Sequence, residues 1–435
     1  MKKAVLLFLV LTMVAAAFGC GGEGNSKNGE FRVGFGKVDI TPDDGVSLGS
    51  YGNDSSRFTK GVLSSLYSLT LVMTDQEDNT FVFVVSDIVY STPRITEMVR
   101  AAVNKEYGIP KENIIDAGTH NHNGPSVTYD SDANNMYWSH YAEAVTRAVG
   151  KALDDLQPAV IEVGRTKTDS LVFSRRYVRS DGNYIGGGPD KWNVQSSAPI
   201  VAHETDADEE VQLVRFVREG KDILLVNWQS HACNIDGSRD KDLHYMASGE
   251  WPAVMRDIVE EDLGVHCMYI QGAAGNMACM SRIPDEFAVE DSKDFQTIGK
   301  LLAETIVSAC NAQDTFSGIS SGTIQTDHVL LPVDSVDGGP SNNNPELYAI
   351  AAGDLSFVTF GPELFDTEAK KLKEETPFAM TVIMGYTAHA GGYVAPDWAW
   401  DHGCYEVNNT QYARGSSEKI FGYFSDTLKA FKEAQ

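Results

Sequence analysis

The chain has 435 residues, of which 42% are hydrophobic, and its formal net charge at pH 7 is −26. This length exceeds the roughly 100–200 residues usual for one domain, and the hydrophobic content is sufficient for a large buried core. A surface with such an excess of negative charge repels phosphate groups, so nucleic acid is not expected as a partner.

The first 30 residues predict export and attachment to a membrane. Lys2 and Lys3 precede an uncharged, mostly apolar run. This is the order found in secretory signals. The run is shorter than the roughly 20 apolar residues needed to cross a bilayer. We interpret residues 1–20 as the signal peptide of a bacterial lipoprotein, with a lipidated Cys20 as the anchor at the cell membrane or outer surface. The alternative is an ordinary signal peptide with an incidental cysteine. Residues 21–30 have the composition of a flexible tether.

The first half of the mature chain predicts a hairpin followed by alternating helices and strands. A helix begins at Thr92-Pro93, a favourable N-cap and first-turn pair, and ends before Gly108. The other predicted elements of this half are strands at 31–42, 68–74, 80–86 and 113–117 and a helix at 134–156.

The second half shows a similar alternation. Its predicted elements are strands at 211–217, 223–228, 355–360 and 380–386, helices at 249–261 and 295–309, and long loops at 178–202 and 334–345. Strands, helices and hairpins in this mixture predict an α/β fold, with a mixed sheet or sheets covered by helices. No change in composition marks a boundary, so residues 31–435 are predicted to form one domain.

The cysteines after Cys20 do not indicate a thiolate metal site. Their number is odd and no CxxC pair occurs, so at least one thiol is expected to stay unpaired within the chain. Their pairing and the oligomeric state of the protein cannot be derived from the sequence. The five cysteines are Cys233, Cys267, Cys279, Cys310 and Cys404.

Candidate metal ligands and proton donors follow predicted strands at four places. These residues are His120 with His122, His231, Glu363 and Tyr393. Ligand and catalytic groups in α/β sheets collect beyond the carboxyl ends of strands. An active site is therefore predicted at the carboxyl ends of the strands.

The His120-Asn121-His122 segment is the strongest of these local signals. In an extended segment, residues two apart point to the same side, so both imidazoles could face one metal ion. The alternative is that the two histidines are close by chance or bond to loop backbone. Taken singly, His231, Glu363 and Tyr393 are more commonly structural residues.

Several short motifs occur in an order that is typical of one protein family. Residues 34–42 (GFGKVDITP) are like the family's GxGxxDIT start, and residues 119–125 (THNHNGP) are like its THTHSGP. Gly361-Pro362-Glu363 is similar to a Pro-Gly-Glu turn, and Tyr393 with Tyr405 matches a paired tyrosine segment. From about Phe31 to its C-terminus, the chain resembles the neutral/alkaline non-lysosomal ceramidase family, N-acylsphingosine amidohydrolases with an N-terminal catalytic domain.

The resemblance implies a role for each of seven residues. It implies zinc ligands at His120, His231, Glu363 and Tyr393. His122 would be the neighbouring catalytic histidine. Tyr405 and Arg175 would hold the carbonyl oxygen or its developing charge.

The sequence departs from the family at two places. The position of the family's catalytic serine is occupied by Ala278, which is followed by Cys279 instead of proline. The chain also ends at Gln435, where ceramidases continue into a C-terminal β domain, so the catalytic domain alone is expected. Both departures leave a zinc hydrolase of this fold as the prediction and weaken ceramide as its substrate.

The predicted function is zinc-dependent hydrolysis of an amide bond in a small-molecule or lipid N-acyl substrate, with a ceramide-like lipid as one candidate. Zinc would activate a water molecule and polarise the carbonyl group, and His122 would pass a proton toward the leaving amine. One alternative is an esterase of the same fold. Another is a zinc-bearing surface lipoprotein that binds an acyl-amide or glycan ligand without turnover, and a third is a structural lipoprotein without metal.

Overall fold

The structure is a computed structural model that describes residues 30–49, 55–188, 193, 195–235, 242–283, 286, 294–388 and 392–435. The predicted signal peptide, its Cys20 and the tether up to residue 29 lie outside the described residues. Within them, no helix is long and apolar enough to cross a membrane.

The described part of the chain contains twenty strands and eight α-helices. The strands are β1 (Arg32–Asp39), β2 (Tyr67–Thr74), β3 (Thr80–Ser86), β4 (Ile114–Gly118), β5 (Gln157–Lys167), β6 (Phe173–Ser174), β7 (Tyr177–Arg179), β8 (Tyr184–Ile185), β9 (Ile200–His203), β10 (Glu210–Arg218), β11 (Ile223–Trp228), β12 (His266–Gln271), β13 (Met277–Ala278), β14 (Phe316–Ile319), β15 (Ile324–Leu330), β16 (Glu346–Ala352), β17 (Leu355–Thr359), β18 (Glu363–Leu364), β19 (Met380–Met384) and β20 (Tyr393–Val394). The helices are α1 (Pro93–Tyr107), α2 (Asp132–Asp154), α3 (Glu250–Leu263), α4 (Phe295–Asn311), α5 (Asp366–Glu375), α6 (Asp397–Trp400), α7 (Cys404–Asn408) and α8 (Ser416–Ala434).

Two main sheets organise the molecule. The larger has the order β12-β11-β10-β5-β1-β2-β3-β4, with β14 paired to β5, and the smaller has the order β15-β16-β17-β19. Three small sheets, β13-β6, β18-β20 and β8-β7-β9, lie outside them. Both main sheets combine antiparallel and parallel pairs, so the predicted mixed α/β fold is confirmed.

The same ββαβ connection occurs three times. In each unit an antiparallel hairpin is followed by a helix and then by a strand parallel to the second strand of the hairpin. The units are β2-β3-α1-β4, β10-β11-α3-β12 and β16-β17-α5-β19. Because the last two strands of each unit are parallel, their carboxyl ends lie together and can present side chains to one place.

The sheets pack face to face and are covered by helices on their outer sides. One apolar core joins the facing sides of the two sheets, where the rings of Phe83 in β3 and Phe357 in β17 lie 4.8 Å apart. Helices α1 and α2 cover one half of the large sheet, and α3 and α4 cover the other half. Helices α5 and α8 cover the small sheet. The result is a four-layer α/β/β/α arrangement.

Most of the predicted elements are present, with boundaries that differ by a few residues. The elements that were not predicted are strands β5, β6, β12 to β16, β18 and β20 and helices α5 to α8. The prediction of one long loop at 178–202 is wrong in part, because β7, β8 and β9 form a small antiparallel sheet there. None of the five described cysteines is in a disulfide.

Candidate metal centre and active site

Three ligand-bearing segments converge where strands of both main sheets end. His120 follows β4, His231 follows β11, and Glu363 begins β18 just after β17. His231 Nε2 lies 3.2 Å from Glu363 Oε2, and His120 Nε2 lies 3.5 Å from the same oxygen. Residues separated by more than 240 positions in the sequence therefore meet at one point, at the predicted strand ends.

Backbone carbonyl groups orient the two histidines. His120 Nδ1 is 3.0 Å from the carbonyl oxygen of Val89, and His231 Nδ1 is 3.0 Å from that of Met277. With the proton assigned to Nδ1, each Nε2 carries its lone pair toward Glu363. Such an outer hydrogen bond holds a metal-binding imidazole in the required tautomer and orientation.

His122 lies at the same point. Its Nε2 is 3.3 Å from His120 Nε2, so both imidazoles of the His-x-His segment face one site. The backbone N–H of His122 donates to the carbonyl oxygen of Ala232, one residue after His231. His120, His122 and His231 each offer a ligand atom within 4.8 Å of the others and form a group that could hold a metal ion.

The spacing of these atoms fits a zinc ion. Ligand atoms at ~2.0–2.1 Å from a tetrahedral zinc lie ~3.3 Å from one another. The distances from His231 Nε2 and His120 Nε2 to Glu363 Oε2, 3.2 and 3.5 Å, are close to this value. Glu363 Oε2 is buried and receives no conventional hydrogen bond from a described residue, so a cation would satisfy it.

The protonation states favour metal binding at neutral pH. Burial, with a contribution from His120 and His231, holds the pKa of His122 well below its usual value. Burial and the positive charge of Arg175 lower the pKa of His231 to about 3. Neutral imidazoles and an ionised carboxylate are the forms that bind zinc.

Tyr393 reaches the site through a two-residue parallel pair. Strands β18 and β20 pair so that Glu363 lies opposite Tyr393. The Tyr393 hydroxyl oxygen accepts a hydrogen bond of 2.9 Å from Arg175 Nη2. The resemblance placed these three residues in one site, and the structure brings them together.

Tyr405 and Arg175 lie beside Tyr393. The guanidinium carbon of Arg175 is 5.5 Å from the ring centre of Tyr393 and 5.9 Å from that of Tyr405. The two tyrosine rings are 5.4 Å apart, edge to face. These groups form a cluster of hydrogen-bond donors on the side of the site formed by β20 and α7.

The segment of Ala278 and Cys279, where the sequence departs from the family's motif, lies next to the histidines. The backbone of Ala278 forms a parallel bridge with that of His231, which places this segment next to the site. Cys279 is buried, and its Sγ lies 2.9 Å from Ser230 Oγ. Burial raises the pKa of this thiol, which opposes formation of the thiolate.

Two residues of the site were missed by the sequence analysis. The ring of Tyr386 stacks on His120 with 3.9 Å between centres, and its backbone has φ +62°. Its position at the end of a predicted strand was the only signal for it. Glu406 is buried and accepts a hydrogen bond of 3.1 Å from Arg175 Nε. Its signal was the adjacent Tyr405.

The fold and this geometry define a class: a mixed α/β protein with a histidine and carboxylate cluster, suited to a metal ion, at the carboxyl ends of its strands. Comparison with known proteins is more specific. The family described as "Neutral/alkaline non-lysosomal ceramidase, N-terminal" matches residues 31–239. The predicted resemblance to this family is therefore confirmed over these residues.

Solved structures show the same fold. Neutral ceramidase from Pseudomonas aeruginosa aligns with a TM-score of 0.72 at 17% identity, over 93% of this chain and 75% of that chain. A structure described as a ceramidase complexed with C2 aligns with a TM-score of 0.71 at 16% identity, over 93% of this chain and 76% of that one. Family and fold together support a hydrolase of the ceramidase type.

Proposed function

We propose that the protein is a zinc-dependent amidohydrolase that cleaves an N-acyl bond, with a ceramide-like lipid as one candidate substrate. The observation that carries this proposal is the convergence of His120, His231 and Glu363, whose ligand atoms have the separations that zinc requires. Tyr393, opposite Glu363, would be the fourth ligand. When bound, zinc lowers the pKa of a coordinated water molecule and polarises a carbonyl group.

His122 is the residue that would move a proton. Its imidazole is kept neutral and lies beside the proposed ligands. A neutral imidazole can accept a proton from the attacking water molecule and then donate it to the leaving amine. The transfer requires the imidazole to lie within hydrogen-bond reach of the water oxygen and of the leaving nitrogen. The position of His122 next to His120 allows this.

Arg175 and Tyr405 would stabilise the negative charge that develops on the carbonyl oxygen. Both carry donors beside Tyr393. Preorganised donors of this kind typically contribute about 3–4 kcal/mol each in the transition state. Ala278 has no group that could attack a carbonyl, so a serine nucleophile at this position is excluded by its chemistry.

Metal analysis and a substrate panel test the proposal. The mature protein is expected to carry about one zinc per chain and to hydrolyse members of an N-acyl amide panel. His120→Ala and His231→Ala should each lose zinc and turnover, while His140→Ala, at an exposed position of α2, should retain both.

Each other outcome has a distinct meaning. Stoichiometric zinc in the His120→Ala/His231→Ala double variant would place the metal elsewhere. A zinc-loaded protein that cleaves only esters would be an esterase, and one without turnover would be the surface-binding lipoprotein.

A further inference from the structure

A buried carboxylate beside the site connects two arginines. The Glu406 side chain in α7 is 0% exposed. Its Oε1 accepts hydrogen bonds from Arg175 Nε at 3.1 Å and from the backbone N–H of Gly187 at 3.0 Å. Its Oε2 accepts a bond of 3.1 Å from Arg176 Nη1. Each carboxylate oxygen therefore holds a different arginine.

These contacts determine where the Arg175 guanidinium lies. Nε is held by Glu406, and Nη2 donates to the Tyr393 hydroxyl at 2.9 Å and to the Gly275 carbonyl at 2.8 Å. The remaining nitrogen, Nη1, makes none of these contacts. A guanidinium is planar and rigid, so fixing two of its nitrogens fixes the direction of the third.

Three consecutive glycines press against this group. A Cβ on Gly186 would lie 2.3 Å from Glu406 Oε2, and one on Gly187 would lie 2.3 Å from Arg175 Cδ. A Cβ on Gly188 would lie 2.0 Å from the Tyr405 ring. Real Cβ atoms do not approach so closely, so side chains at these positions would displace the residues that they face.

The charges of the buried group are balanced. Arg175 and Arg176 face Glu406 and Glu204, and Glu204 also contacts His402 at 2.6 Å. The Glu204 side chain is 3% exposed. Removing the charge of Glu406 would leave two buried guanidinium groups facing one carboxylate, which is strongly unfavourable in a low-dielectric environment.

We propose that Glu406 is a positioning residue: together with the Gly186–Gly188 segment, it holds Arg175 on Tyr393 and directs Arg175 Nη1 toward the acyl carbonyl of the substrate. This inference rests on the proposed amide hydrolysis, for which Arg175 stabilises the developing charge. A positioning residue acts before the reaction, so its loss lowers kcat more than it changes KM.

Two variants that act in different ways test the inference. Glu406→Gln removes the charge without changing the size of the side chain. Gly187→Ala leaves every charge in place and forces Arg175 aside. Both are expected to lower kcat by about 10–100-fold on the best N-acyl substrate, with KM within about threefold of wild type.

Matched controls separate positioning from loss of stability. Glu346→Gln removes another buried carboxylate that pairs with an arginine, Arg100, at 3.0 Å and contacts none of the site residues. Gly318→Ala adds a methyl group where no atom lies within 4 Å. Both controls should keep kcat and KM within about twofold, even if Glu346→Gln lowers the melting temperature as much as Glu406→Gln does.

Crystal structures of the two test variants give a result that requires no turnover. The hydrogen bond from Arg175 Nη2 to Tyr393 should be lost in both. If it is retained in both, or if kcat is unchanged with Arg175 displaced, the inference is overturned. Loss of the hydrogen bond in a protein whose wild type cleaves no N-acyl compound would refute the proposed function and leave the positioning of Arg175 by Glu406 supported.

Discussion

By the motif resemblance, Ala278 occupies the position of the family's catalytic serine, and Cys279 follows it. Ala278 lies beside His231, and its methyl group cannot attack a carbonyl. A reactive cysteine needs a lowered pKa from a cation, a helix N-terminus or a paired histidine. The Cys279 thiol instead contacts Ser230 in a buried environment that raises its pKa. Hydrolysis by zinc-activated water requires neither side chain.

We therefore predict that Cys279→Ala retains most of the hydrolytic activity, while a chelator abolishes it. Iodoacetamide should also have little effect, because the thiol is buried and protonated. The measurement is kcat/KM for wild type, Cys279→Ala and His120→Ala on the best substrate. A loss of about 10³-fold in the cysteine variant with zinc still bound would instead indicate covalent catalysis.

At the scale of elements, the glycines of the GxGxxDIT-like start have a structural explanation. A Cβ on Gly34 would lie 1.9 Å from the carbonyl oxygen of Ala152, and one on Gly36 would lie 2.0 Å from that of Ala148. Both carbonyl groups belong to α2, which packs directly on β1 at these positions. The glycines therefore allow the helix to approach the sheet closely.

Gly36→Ala is expected to destabilise the protein by roughly 3 kcal/mol, because the added methyl group collides with helix backbone and cannot rotate away. Urea unfolding measures the change. Gly422→Ala, in α8 with no atom within 4 Å of the added carbon, should be neutral or stabilising by up to ~1 kcal/mol. Equal stability of Gly36→Ala and wild type would contradict this packing of α2.

Strand β4 carries a buried carboxyl group that makes stability depend on pH. Burial raises the pKa of Asp116 to about 6, although Ser91 and Tyr141 donate to its oxygens. An unfolded aspartate has a pKa of ~3.9. The stabilisation from the protonated group is complete below that value and is lost as the pH rises through about 6.

Asp116→Asn is neutral at every pH and can still bond to both hydroxyl groups. Its stability relative to wild type should therefore increase between pH 4 and pH 7, by up to roughly 3 kcal/mol. Urea unfolding at intermediate pH values would locate the change. A stability difference that does not vary with pH would show that Asp116 stays ionised in the folded protein.

For the whole molecule, the sequence predicts a lipid anchor at Cys20. With its net charge of −26, the protein is not expected to bind anionic lipid headgroups. We predict that Cys20→Ser converts a membrane-associated protein into a freely soluble exported or uncleaved one. Fractionation and detergent partitioning of the two proteins measure the change. Unchanged fractionation would indicate an ordinary signal peptide.

Elements with strong local signals could be predicted from the sequence. The Thr92 side chain caps α1 and Gly108 ends it with φ +71°, as the sequence indicates. Helices α5 and α8 lack this signal, because α5 follows Phe365, which makes no side-chain cap, and α8 follows Gly415, which has no side chain. Strand β12 is nearly all buried, so its residues show no alternation of polar and apolar positions.

The candidate site was predictable only in part, because only some of its residues are close to one another in the sequence. Spacing two residues apart in an extended segment brings His120 and His122 together, and this information is local. His231 and Glu363 join them only because the ββαβ units place the ends of β4, β11 and β17 at one point. Strand pairing between distant segments depends on packing across the sheets and leaves no local pattern. Their position after predicted strands suggested that these residues meet, but only the motif resemblance gave each of them a role. The role of Glu406 depends on contacts with Arg175, 231 positions away, and became visible only when the folded chain brought both side chains together.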